Sequence, residues 1–289
     1  MRILIFSDIH FWAKSLVYAA PTLSVWLEGQ VTKLRPDAVM FGGDLVHLHN
    51  HVDTDVLAGM SESLSTLAKT VTYVTGCPLM AMSGNHDSAL RGMQSNMVEA
   101  IGLLNPDISA ISSPYYYAPG DMVMIPYPPE DGDALEKFMA ELERIGNEHQ
   151  PVNALVHVEI GDIRYTPASS HTTDHPFTLP PSVKNVVAGH YHHPESRVVG
   201  GRNIHIVGSP LYHSYSDQIV DIPRGALVFD TESGAVERLE NPYGPVYHTI
   251  ESKDAQAFLA KVKLPLDHSD HFDKFAQVLL RIRVESKAD

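Results

Sequence analysis

Short apolar runs that end abruptly in polar loop residues recur along the chain: Ile3–Phe6, Ala38–Phe41, Leu79–Met82, Ala154–Val156 and Val186–Ala188. Runs this short, without polar alternation, predict strands buried on both faces, as in a parallel sheet covered by helices. Amphipathic stretches of helical length separate the first three, over Pro21–Leu34 and Asp55–Lys69. Pro21 suits a first helical turn, and Pro36 closes the helix behind it. Strand and helix therefore alternate, which predicts a layered α/β fold. A further helix is predicted over Asp133–Arg144, where Leu135, Phe138, Met139 and Leu142 recur at helical spacing among charged residues and serve core packing.

From Arg197 the pattern changes to short β runs, Arg197–Val199, Ile204–Val207, Ala226–Phe229 and Val236–Leu239, separated by Gly, Pro and Ser. This half predicts an antiparallel-rich sheet edge. After the turn cluster Asn241-Pro242-Tyr243-Gly244-Pro245 come a strand over Val246–Ile250, a helix near Asp254–Lys263 and a strand near Val278–Val284. The expected organisation is a main domain over 1–245 and a small C-terminal α+β appendage over 246–289.

The chain has 289 residues, 44% hydrophobic and 19% charged, enough to bury a core and far from the composition of disorder. Its one cysteine, Cys77, excludes an internal disulfide framework and fits a reducing compartment. Ile3–Phe6 is too short for a membrane span and runs straight into Asp8, so a cytoplasmic location without membrane contact is expected. The formal net charge of −14 argues against a broad basic surface for nucleic acid. Part of that deficit is local, because Asp8, Asp44 and Asp87 sit in motifs where two divalent ions would offset four charges.

Those motifs follow the apolar runs: Asp8-Ile9-His10, Gly43-Asp44, Gly84-Asn85-His86-Asp87, His157, and Gly189-His190-Tyr191-His192. Each alone is weak; their order, at the carboxyl ends of predicted strands where an α/β sheet holds its ligands, is specific. Asp8 and His10 differ by two, so an extended loop would turn both side chains to one side and toward one ion. Gly42-Gly43-Asp44 lets the backbone pass close to metals, and Asp44 is the carboxylate best placed to bridge two of them. Asn85 offers a neutral amide oxygen, and His86 beside it would point past the ions toward substrate. The His190 and His192 pair repeats the two-residue spacing with imidazoles, and His157 completes a shell. Carboxylate, amide and imidazole together suit manganese, iron or zinc better than calcium or copper(I).

In this order the motifs resemble the calcineurin-like metallophosphoesterase signature, over roughly the first two thirds of the chain. The resemblance implies a layered sandwich of two mixed sheets flanked by helices, and two divalent ions, manganese foremost with iron or zinc as alternatives. It implies that Asp8, His10, Asp44 and His192 hold one ion, and Asp44, Asn85, His157 and His190 the other. It also implies that a metal-activated hydroxide attacks phosphorus in line while His86 assists the leaving oxygen.

Within that superfamily the chain is similar to the SbcD-like nuclease subunits of double-strand-break repair, bacterial and phage. The start Met1 to His10 is one such feature. Gly43-Asp44-Leu45-Val46-His47 resembles the Gly-Asp-Leu-Phe-His form in which a further histidine, here His47, assists the phosphodiester's reorientation. Ile206-Val207-Gly208-Ser209-Pro210 and Leu279–Val284 are also similar to segments of that branch. The likeness implies DNA as substrate, an SbcC-like ATPase partner and a homodimer. The acidic balance and the short C-terminal segment favour an alternative, a phosphodiesterase or phosphatase for nucleotides or other small esters.

The remaining candidates have plainer readings. Asp87 is expected to brace its loop or to accept a histidine proton, and Arg91 to contact a substrate phosphate or lie on a helix surface. His49 and His51 read as solvated loop residues, and His193 as a neighbour of the ligands or exposed. His171 and His175 compete weakly with His157. Tyr115-Tyr116-Tyr117 reads as a strand edge packed in the core rather than a base-stacking platform.

Overall fold

Beyond its exposed first residue, Arg2, neither face of the first strand, β1 (Arg2–Phe6), meets water: Ile3, Leu4, Ile5 and Phe6 are all buried. Successive side chains point to opposite faces. Ile3 and Ile5 enter an apolar layer between two sheets, whereas Leu4 and Phe6 enter a second layer beneath helices. The computed structural model describes residues 1–12, 20–47, 54–88, 96–130, 132–161, 163, 177–213, 222–243, 246–251 and 278–283. His49, His51, Arg91, His171, His175 and the helix expected near Asp254–Lys263 lie outside them.

After β1 come α1 (Ala20–Leu34), β2 (Ala38–Phe41), α2 (Thr54–Thr75), β3 (Leu79–Met82), α3 (Met97–Leu104) and β4 (Ile108–Ile111). Strands β5 (Tyr115–Tyr117) and β6 (Met122–Ile125), helix α4 (Gly132–His149), and strands β7 (Asn153–Val156) and β8 (Asn185–Ala188) follow. The rest is β: β9 (Glu195–Val199), β10 (Arg202–Ile206), β11 (Gly225–Asp230) and β12 (Val236–Glu240), then β13 (Val246–Glu251) and β14 (Val278–Arg283). One six-stranded sheet has the order β12-β11-β1-β2-β3-β4, and a second has β5-β6-β7-β8-β10-β9. Each is mixed: the first runs parallel from β1 to β4 with antiparallel pairing only on the β11–β12 side, and the second has a parallel centre with an antiparallel strand at each edge. Strands β13 and β14 pair in parallel as a separate two-stranded sheet. Among the described residues no helix is long and apolar enough to cross a membrane.

The sheets stack face to face on a layer containing Ile3, Ile5, Met40, Met80, Met82, Met122, Met124, Leu155, Leu227 and Phe229. Methionine, unbranched and adaptable, fills the irregular gap between two twisted surfaces. Helices α1, α2 and α3 cover the outer face of the first sheet, and α4 covers that of the second through Phe138, Leu142 and Ile145. The layers thus run helix, sheet, sheet, helix, as expected for this fold class. Polar ties reinforce the stack. Asn203 Nδ2 donates to Asn185 Oδ1 and Asn185 Nδ2 to Asn153 Oδ1, both at 2.9 Å, and Asn153 Nδ2 reaches the Thr231 carbonyl at 3.0 Å.

Several boundaries differ from the sequence reading. Helix α2 continues six residues beyond Lys69, because Val71 is buried and packing overrides the poor helix propensity of its Thr and Val run. Helix α4 continues to His149, beyond Arg144, whose guanidinium pairs with Glu141 and Glu148 on the same face. Helix α3 and strands β4 and β6 had no counterpart among the expected elements. The antiparallel half is split between the sheets, with β9 beside β10 in one and β11 beside β12 in the other. Tyr115–Tyr117 is an edge strand as expected: Tyr116 and Tyr117 are half-buried against two core layers, Tyr116 stacking on His149 at 4.1 Å between ring centres, while Tyr115 is exposed.

Phe229 is fully buried in the layer between the sheets. Replacing it with alanine is expected to lower stability by about 3–5 kcal/mol, through lost burial and a residual cavity. Urea unfolding of the metal-free protein measures this, and a loss below about 1 kcal/mol would mean the sheets close over the gap.

Candidate metal centre

The parallel strands of both sheets end at one edge, and the loops leaving them converge there. Residues after β1 supply Asp8 and His10, those after β2 Asp44, those after β3 Asn85, His86 and Asp87, and those after β7 and β8 His157, His190 and His192. The ligand atoms of Asp8, His10 and His192 lie within 4.8 Å of one another, and so do those of Asp44, His157 and His190. Asn85 Oδ1 belongs with the second set, 3.2 Å from His157 Nε2 and 3.0 Å from His190 Nδ1. Asp44 lies between the sets: Oδ1 is 3.3 Å from His157 Nε2, and Oδ2 is 3.6 Å from His10 Nε2.

The backbone that presents these groups is not the extended loop expected for Asp8 and His10. Asp8, His10, Asp44 and His190 have φ of 58°, 50°, 60° and 71°, all in the left-handed region. For a residue with a Cβ that conformation costs roughly 1–2 kcal/mol. The loops turn sharply off the strand ends, which brings side chains two residues apart onto one ion site. Glycines allow the close approach. A Cβ on Gly84 would lie 2.2 Å from Asp44 Oδ1 and 2.7 Å from His157 Nε2. One on Gly189 would meet Ser7 Oγ at 2.3 Å and the Gly42 carbonyl at 2.7 Å.

Asp87, 2% exposed, is a brace for two of these loops. Its carboxylate accepts backbone N–H bonds from Asp44, Leu45, Val46 and Gly84 at 2.7–3.2 Å, so it locks the Asp44 loop to the Asn85 loop. It makes no bond to a histidine among those described. His86 donates its backbone N–H to Asp44 Oδ1 at 2.8 Å, and its ring Nδ1–H to the His47 carbonyl at 2.8 Å. The His47 and His86 rings stack at 5.9 Å, beside His10.

Charge in this pocket is strongly perturbed. Burial, reinforced by the Asp44 charge and opposed by His157, raises Asp8 to about 7. Burial and Asp44 likewise raise Asp87 to about 7, against its N–H donors. Burial would raise Asp44 too, yet His157, His10 and His86 hold it well below the usual carboxylate range. Burial would lower His157, but Asp44, Asp8 and the Gly42 carbonyl lift it to about 9. Burial and His157 depress His190 to about 3.

The donors fit divalent ions. His157 donates Nδ1–H to the Gly42 carbonyl at 2.7 Å, so Nε2 faces Asp44 Oδ1 and Asn85 Oδ1; without metal its second proton lies between them, the place a divalent ion can take over. His10 Nε2 and His192 Nε2 face each other at 3.0 Å; without metal one ring's N–H serves the other's lone pair, and with both rings deprotonated there the two lone pairs converge on one ion site. Among the described residues, buried Asp8 Oδ1 has no hydrogen-bond partner, as expected of an atom reserved for a metal.

Other residues here were not singled out as functional from sequence. His213 packs its ring 5.1 Å from His10 and 5.4 Å from His192. Arg224, 3% exposed, donates Nη1–H to the His192 carbonyl and lies over the Tyr212 ring at 4.7 Å. His193 is buried against Arg224 rather than exposed. Tyr127, after β6, brings its ring to 6.1 Å from His190. The only sequence signal for His213 was its place four residues after Ser209.

A family model described as calcineurin-like phosphoesterase matches residues 1–194. Among solved structures, an archaeal phosphodiesterase is similar at 13% identity and a TM-score of 0.40, covering 83% of this chain and 100% of that one. The phosphoesterase Yfce of E. coli is similar at 14% identity and 0.41, covering 82% and 96%. Vps29 of Entamoeba histolytica, solved with zinc, is similar at 14% and 0.37, covering 82% and 89%. No curated protein matches the chain in sequence.

The shifted groups set a pH dependence for metal binding. Without metal, His157 holds its proton up to about 9 and Asp8 up to about 7, and a metal must displace both. Affinity for manganese is therefore expected to rise with pH, by up to about tenfold per unit for each proton displaced, and most steeply below pH 7. Calorimetric titration at pH 6, 7 and 8 in buffers of different ionisation heat counts the protons released. A pH-independent affinity would show that these groups are not the ligands.

Proposed function

This chain belongs to the calcineurin-like phosphoesterase family, and we propose that it is a two-metal phosphodiesterase of the SbcD-like type that cleaves DNA. Asp44 carries the two-ion reading, because its carboxylate oxygens face different donor sets, toward His10 and toward His157. Asp8, His10 and His192 would hold one ion with Asp44; Asn85, His157 and His190 would hold the other with it. When bound, the ions would supply Lewis acidity and activate water at neutral pH. They are manganese in the first instance, with iron or zinc as alternatives.

The chain's own groups do the rest. Asp87 holds the Asp44 loop through backbone N–H groups, so the central carboxylate cannot swing away. His86 is the proposed acid. Its Nδ1–H bond to the His47 carbonyl fixes the ring, so that in the imidazolium form Nε2–H is the proton to hand to the leaving oxygen. His47, stacked on His86, guides the phosphodiester into line.

DNA as substrate is supported by the Gly43–His47 and Ile206–Pro210 segments and by the start of the chain, which also carry the proposal of an SbcC-like ATPase partner and of self-association. The formal net charge of −14 favours a second reading, hydrolysis of nucleotides or other small phosphodiesters, since a long polyanion gains little from an acidic exterior.

Manganese-dependent cleavage of end-labelled single- and double-stranded DNA, beside bis(p-nitrophenyl) phosphate, separates the two. DNA cleavage supports the nuclease, and turnover of the small ester alone supports the second reading. Asp44→Ala is expected to abolish both activities and to bind fewer than two ions; two bound ions with activity retained would contradict the bridge. His86→Ala is expected to keep both ions while turnover falls about 100-fold or more. An unchanged rate would move the acid role to His47.

A further inference from the structure

The loop that follows β10 carries no donor of either metal set, yet it holds the backbone of two members of the first set. The Ser209 N–H donates to the His192 carbonyl at 3.1 Å, the same carbonyl that receives Arg224 Nη1–H. Four residues on, His213 Nε2 lies 3.2 Å from the Asp8 carbonyl and 2.6 Å from Ser209 Oγ. A carbonyl oxygen can only accept, so the short approach to Asp8 requires a proton on Nε2. An unprotonated Nε2 would set its lone pair against the carbonyl. The His213 ring therefore donates to Asp8, with Ser209 Oγ as second acceptor, and Leu211 N–H anchors that hydroxyl from the other side at 3.2 Å.

The carbonyl held in this way belongs to a residue with φ of 58°, a conformation open to aspartate but less favourable than its ordinary backbone angles, so an outside hydrogen bond biases the choice. Relaxation of Asp8 toward ordinary backbone angles would swing its carboxylate out of the cluster with His10 and His192. The His213 ring also stands edge-on to His10 at 82° and 61° from the plane of His192, so it limits how either imidazole can turn. The loop is itself pinned: Asn241 Nδ2 donates to the Pro210 carbonyl at 3.0 Å, and Arg224 lies over Tyr212.

We propose that His213 is a positioning residue for the first ion site, holding Asp8 in its left-handed conformation and fencing the His10 and His192 rings, without itself being a ligand. This role rests on the two-ion reading and concerns one of its sites only. Groups that orient ligands from behind typically contribute about 10- to 100-fold in metal affinity.

The test is calorimetric titration with manganese alone on the full chain, for wild type, His213→Ala and His213→Gln, each with a thermal melt in EDTA. His213→Ala is expected to weaken one of the two binding events by about 10- to 100-fold, leaving the other and the metal-free melting temperature little changed. His213→Gln, whose amide nitrogen lies as many bonds from Cα as Nε2 and can donate to the same carbonyl, is expected to recover much of the loss. Unchanged binding in His213→Ala overturns the role, and so does equal weakening of both events with a lower metal-free melting temperature, which marks plain packing. Failure of glutamine to restore binding overturns the hydrogen-bond basis. Wild-type protein that binds no manganese overturns the two-ion reading itself, and this role with it.

Discussion

The structure turns on concentrated charge and lone pairs held out of water. Asp8, Asp44 and Asp87 are each at most 2% exposed, and His10 and His157 no more. Burial in low dielectric disfavours every one of their ionised forms. The cluster persists because its members compensate one another in a fixed arrangement: Asp87 by backbone N–H groups, Asp44 by the imidazoles around it, His157 by Asp44 and the Gly42 carbonyl. Two divalent cations would complete that compensation, and the surrounding fold can be understood as the frame that keeps the donors from escaping.

The frame begins with strand direction. Because the central strands of each sheet are parallel, their carboxyl ends share an edge, and the segments leaving them in both sheets meet over one place. Stacking the sheets brings His157, His190 and His192 from one to face Asp8, Asp44 and Asn85 from the other. The interlayer core of methionines and branched residues therefore determines the spacing of the site as well as the stability of the domain. Asparagine ties between strands and toward Thr231 limit sliding of one sheet over the other.

Local strain forms the next level. Left-handed backbone at Asp8, His10, Asp44 and His190 is costly without glycine, and it persists where surrounding bonds over-determine it. Asp87 holds the loop of Asp44, and the loop from Ser209 to His213 holds Asp8 and His192. These braces come from remote parts of the chain, so a substitution well away from the donors in sequence would still reach them.

The sequence alone determined which residue types could form the site and the kind of scaffold that carries them. Uninterrupted apolar runs identified buried strands because period and length are local properties, and a run such as Ile3–Phe6 has no alternative use in water. The motif residues stood out because they follow those runs, and the fold class followed from strand and helix alternating. What depends on distant neighbours was not legible. The length of α2 hinged on burial of Val71, and β6 on pairing with β7. Asp8 and His10 share a site through left-handed turns rather than an extended loop. Asp87 found its partners across two loops, and His213 and Arg224 had no motif to mark them. Side-chain chemistry is written residue by residue, but the field and packing each side chain meets are set by segments between 41 and 205 positions away along the chain, and only tertiary structure brings these together.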